Sequence, residues 1–151
     1  MEEQNYHIRI ATTGTPSGAA EAISKVTAWW GDDVEGNSKE TGDEFTIRFG
    51  ETSVDFRVTE TGAERIVWQV TDCNLHWLHD TKEWKGHTII WDITPTGGNT
   101  TIDFTQIGLK PGVECYNDCE KGWNFYIGDS LLSLINTGKG KPDTSKARRG
   151  N

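Results

Sequence analysis

Apolar and polar residues alternate along most of this chain, and the period changes twice. In "YHIRIATT" Tyr6, Ile8 and Ile10 share one side, the pattern of a half-buried strand. "TPSGAAEAI" then opens a helix: Thr15 suits the N-cap and Pro16 the first helical position. One short helix, or two, should end near Trp29. From residue 43 to 107 the period is two. Phe45, Ile47 and Phe49 share a face, as do Val54, Phe56 and Val58, with Gly50-Glu51 suited to a tight hairpin between them. Ile66, Trp68 and Val70 repeat the pattern, then Ile89, Trp91 and Ile93. "GGN", residues 97–99, turns the chain into Ile102, Phe104 and Gln106. Each strand is polar on its other side, which predicts an antiparallel sheet covered on one face.

The last segment changes to a helical period. Cys115, Cys119, Trp123, Ile127 and Leu131 recur every four residues, and Tyr116, Tyr126 and Leu134 widen the stripe. Pro111 and Gly112 precede it and Gly138 suits its end. Gly122 and Gly128 each cost a helix about 1 kcal/mol against alanine, which predicts a close approach of backbone to sheet or ligand. A one-sided sheet must cover its apolar face, and the terminal helix is the only large apolar element available. The expected fold class is therefore α+β, a curved antiparallel sheet of six or seven strands around a long C-terminal helix.

A length of 151 residues fits one domain with a core of its own. Residues 1–138 are assigned to that domain. Residues 139–151, "KGKPDTSKARRGN", carry five basic residues and one acid and lack large apolar side chains. They are expected to form a disordered basic tail. The net charge is −8, and removing the tail's +4 leaves about −12 for the remainder. Such a surface argues against nucleic acid and anionic membrane as partners. No run of 18 apolar residues exists to span a bilayer, and the acidic start lacks the apolar core of a secretory signal. Three cysteines fit a reducing compartment, so the expected location is cytoplasmic.

Candidate chemistry is sparse. Gly14 and Gly18 are not followed by Gly-Lys-Ser/Thr, so no phosphate loop is read there. Cys73, His76, His79 and Asp80 lie close in sequence, but Cys-x2-His-x2-His is not a standard finger spacing. Cys115 and Cys119 read better as small core residues. No metal site is assigned, and no cofactor. There is no Gly-x-Ser-x-Gly elbow, and Asp55, Asp92 and Asp103 fall on polar strand faces. No catalytic residue is assigned, and the chain is not expected to be an enzyme.

Taken in order, the "TP" helix start, "WW" at residues 29–30, "GDEFTIRFG", "ERIVWQV", "WKGHTIIWDITP", "TTIDFTQIGL" and "CEKGWNFYIGDSLLSLINTG" resemble a known superfamily. It is the START-like, SRPBCC or helix-grip superfamily, also called birch-pollen-allergen-like. Within it, the chain resembles the family of bacterial homologues of the activator of heat-shock-protein-90 ATPase. The resemblance covers about residues 5–138. It implies two short helices after the first strand and a deep hydrophobic cavity between sheet and terminal helix. The strand residues facing that cavity would be Phe45, Phe56, Trp68, Trp91, Phe104 and Gln106. The helix residues would be Tyr116, Trp123 and Ile127. Trp29 and Trp30 would close one end. Either one ring faces the cavity and the other the sheet edge, or both fill the core.

The function implied is binding of an apolar small molecule, a lipid or a flat aromatic, by a monomer. The alternatives are a co-chaperone-like domain with a heat-shock chaperone as partner, within a stress response, and a cyclase- or hydrolase-type enzyme. Relatives often read Thr-His-Ile-Gly where this chain has Thr105-Gln106-Ile107-Gly108. Gln106 cannot titrate, which leaves that position a hydrogen-bonding role.

Overall fold

The structure, a computed structural model, describes residues 5–143. Seven strands form one antiparallel sheet in the order β1-β7-β6-β5-β4-β3-β2. They are β1 (Tyr6–Thr12), β2 (Val34–Gly36), β3 (Glu44–Phe49), β4 (Thr52–Glu60), β5 (Arg65–Asn74), β6 (Thr88–Thr96) and β7 (Asn99–Ile107). Helices α1 (Pro16–Ser24) and α2 (Val26–Trp29) follow β1. The Thr15 hydroxyl caps α1 by accepting from the Gly18 amide at 3.0 Å, the role its sequence position predicts. The terminal helix is continuous but not uniform: α3 (Tyr116–Phe125), a π-helical stretch (Tyr126–Leu131) and α4 (Leu132–Thr137).

Turn chemistry fixes the hairpins. Phe49 pairs with Thr52 around Gly50, whose φ is +67°. Thr96 pairs with Asn99 around Gly97 and Gly98, both at positive φ, as a two-residue turn matched to strand twist requires. The β4–β5 ladder slips register twice, between Asp55 and Phe56 and between Val58 and Glu60. Such bulges bend the sheet around whatever it covers.

The concave face buries the alternating set. Phe45, Phe56, Trp68, Trp91 and Phe104 are each 2 % exposed or less. The terminal helix lies on this face, with Trp123, Ile127 and Leu131 buried against it. A spacing of four drifts by about 40° per step on an α-helix. The π-helical stretch has wider turns, and it lies where that drift would otherwise carry Leu131 off the sheet. Gly138, at φ +87°, ends α4 in the left-handed cap expected of it.

The chain does not leave the body at Gly138. The Lys141 amide donates to Ser130 Oγ at 2.6 Å. The Asp143 amide donates to the Trp30 carbonyl at 2.9 Å, and the Asp32 amide to the Asp143 carbonyl at 3.0 Å. Residues 139–143 of the segment read as a tail thus add a short parallel bridge beside α2. Residues 144–151 lie outside the described residues. Among the described residues no helix is long and apolar enough to cross a membrane.

Candidate functional site

The two adjacent tryptophans both face inward, so the arrangement with one ring outside does not occur. Trp29 is fully buried and Trp30 is 4 % exposed. Helix α2 is one turn long and Trp30 caps it, donating its amide to the Val26 carbonyl at 2.8 Å, while its ring stacks on that of Trp29, 5.8 Å apart at 10°. The Trp29 indole donates to the Ile23 carbonyl at 3.1 Å, and its edge meets Trp91. From Trp91 the contacts run to Trp68 and Phe104, and from Trp68 to Phe45 and Phe56. These rings pack on one another. None of Trp29, Phe45, Phe56, Trp68, Trp91 and Phe104 lines the cleft described next, because neighbouring aromatic side chains already fill the space each faces. Ile127 is likewise fully buried in the core, and Tyr116 faces a separate polar recess with Tyr6 and Glu120.

At one end of this core an open cleft of about 390 Å3 separates α3 from the β3–β4 hairpin and the linker between β5 and β6. Trp30 and Trp123, two of the sequence candidates, form its floor with ring centroids 4.8 Å apart. Trp84 extends the floor, stacked on Trp123 at 6.0 Å and 11°. Phe49 and Tyr126 form a wall, their rings 6.3 Å apart. Trp77 stands at the lip, 48 % exposed. Gly122 lines the helical side, and a Cβ built there would meet nothing within 4 Å.

No period marks Trp77 and Trp84 along the chain. Both come from residues 75–87, an irregular run of turns between β5 and β6. Two tryptophans in a polar linker are the signal the sequence offers. The metal-like residues there do not converge. The Cys73 thiol donates to the Thr81 carbonyl, His76 pairs with Glu51 at 3.1 Å, and His79 pairs with Glu114 at 3.5 Å. Burial raises the Cys73 pKa. Cys115 and Cys119, read as separate core thiols, have their sulfurs in contact across one helical turn.

Gln106 is fully buried and does not reach the cleft. Its Oε1 accepts from the Trp123 indole at 2.8 Å, and its Nε2 faces His87 Nδ1 at 2.9 Å. The Trp123 N–H can only donate, so the amide orientation is forced and His87 Nδ1 must accept. Burial first, then the charge of Lys110, lowers the His87 pKa. Gln106 therefore holds the floor tryptophan in place, a role a burial-cost argument from sequence already permits.

No family model and no curated protein matches this sequence. Solved structures do match. The Aha1 dimer from Colwellia psychrerythraea is similar over 90 % of this chain and 98 % of that one, with a TM-score of 0.74 at 21 % identity. DynU16, from the dynemicin biosynthetic locus, matches 96 % of this chain with a TM-score of 0.70 at 17 % identity; the chain spans 52 % of its length. Protein MLL2253 from Mesorhizobium loti matches at TM-score 0.65 and 16 % identity, over 86 % of this chain and 96 % of that one. These likenesses, with the curved sheet and the helix on its apolar face, establish that the chain has the START-like helix-grip fold, in the form seen in the Aha1 dimer.

Proposed function

We propose that this chain binds a small apolar or flat aromatic molecule in the cleft beside Trp30, Trp84 and Trp123, and that it is a binding protein rather than an enzyme. The observation that carries the reading is Gly122. A glycine inside a helix costs about 1 kcal/mol, and here no neighbouring atom demands it. What the missing side chain leaves is open space over an aromatic floor. The volume, about 390 Å3, falls in the range of small-molecule sites, and most of the lining is aromatic or aliphatic. The groups at the cleft offer little acid–base power near neutral pH, which favours binding over catalysis.

The test is to fill the space. Gly122→Leu should raise or preserve the melting temperature, because it improves helix propensity and its Cβ meets no neighbour within 4 Å. It should also abolish the thermal shift and tryptophan-emission change that a library of lipids and flat aromatics produces with the unaltered chain. Equal ligand response in both proteins would remove the cleft as the site.

A second reading is a chaperone-associated role in the cytoplasm, favoured by the likeness to the Aha1 dimer. Stimulation of a heat-shock-protein-90 ATPase by this chain would support it; unchanged turnover at saturating chain would remove it.

A further inference from the structure

Resting on the reading of the cleft as a ligand site, we propose that its ligand is an organic cation: a flat or alkyl body carrying a permanently positive nitrogen. Two independent features point to the sign of charge. The first is the electrostatics of the lining. Among the described residues that line the cleft, none is Lys, Arg or His, and Asp143 is the one that carries a formal charge. A fatty acid, a sulfate or a phosphate entering here would give up part of its hydration without meeting a cation among these residues, which is costly. His76 and Arg48, which adjoin the lining residues Trp77 and Phe49 in sequence, pair with Glu51 and with Glu35 and Asp33 respectively. The whole molecule adds to this, since a chain of net charge −8 attracts positively charged solutes.

The second feature is the rings. Trp30, Trp84, Trp123, Phe49, Tyr126 and the exposed Trp77 border one volume. Their π faces carry negative charge density, and tryptophan attracts cations best among the aromatic side chains. An apolar body gains from all six whatever its charge. A positive nitrogen gains further from the same rings, and a negative group is repelled by them. Gly122 supplies the room for an alkylated nitrogen beside the Trp123 ring.

Calorimetry with three probes of nearly equal shape separates the possibilities: N-methylquinolinium, its neutral isostere 1-methylnaphthalene, and naphthalene-2-sulfonate. The cation should bind roughly 5- to 10-fold more tightly than the neutral probe at low salt. That advantage should shrink as salt rises, and the sulfonate should not bind measurably. Thr52→Lys, at the rim of the cleft, should weaken the cation and admit the sulfonate while the neutral probe stays unmoved. Equal binding of cation and neutral probe, or preferred binding of the sulfonate, overturns the charge assignment and leaves the cleft as a ligand site. No binding by any of the three, in a chain that melts normally, overturns both.

Discussion

Trp123 is held from behind by a relay with a fixed direction. Its indole donates to Gln106, and the Gln106 amide donates to His87 Nδ1, so the imidazole must be neutral with its proton on Nε2. A protonated His87 would turn an N–H toward the amide N–H, and the relay would fail beneath the cleft floor. Burial and Lys110 lower the His87 pKa, so the unfolded chain takes up this proton first as the solution is acidified. Above about pH 6.5 both states are neutral here and the contribution to stability is complete. It falls as pH drops from there to the lower folded-state value, and is flat below it. Denaturant midpoints between pH 7 and pH 5 should therefore decline more steeply for the unaltered chain than for His87→Asn, whose amide oxygen can accept in place of Nδ1 but cannot titrate. Parallel slopes would show that His87 is not coupled to folding.

The terminal helix connects three parts of the molecule through one hydroxyl. Ser130, fully buried in the π-helical stretch, donates to the Trp29 carbonyl at 2.7 Å and accepts from the Lys141 amide. Ser130→Ala leaves both backbone groups without this partner and should cost about 1–3 kcal/mol by denaturant unfolding. Faster hydrogen exchange at Lys141 and Asp143, but not in β6 or β7, should accompany it. The stripe that places Ser130's helix was plain in the sequence, because four-residue spacing of large apolar side chains has few other uses. The strands from 44 to 107 were plain for the same reason, their alternation being enforced by a single buried face. Strand β2 was not, since three residues, Val34–Gly36, are too few to show a period, and they pair only at the sheet edge with β3. The 75–87 linker was not, because its order comes from turns and from Leu75, Leu78 and Trp84 reaching into a core built by other segments. The cleft depends on that linker, so the aromatic interior was readable in advance and the opening beside it was not.

At the scale of the whole chain, the unit that folds extends past the terminal helix. Charge and composition place a boundary at Gly138, yet the next five residues return along α2 and bring Asp143 to the cleft. Composition is blind to this return because it is made by backbone groups: four hydrogen bonds join Lys139, Lys141 and Asp143 to Ser133, Ser130, Trp30 and Asp32. The fit beside α2 is close at Gly140, where a Cβ would press on the Ala28 carbonyl. Each such bond contributes about 1 kcal/mol net, so a chain ending at Gly138 should be several kcal/mol less stable than one ending at Asp143. For a domain of this size that corresponds to a melting temperature lower by roughly 5–15 °C. The shorter chain should also lose more affinity for N-methylquinolinium than for 1-methylnaphthalene, since it loses the carboxylate but keeps every ring. If both chains melt together, residues 139–143 add nothing to the fold; if they differ only in melting, Asp143 shapes the cleft without selecting the charge of what enters it.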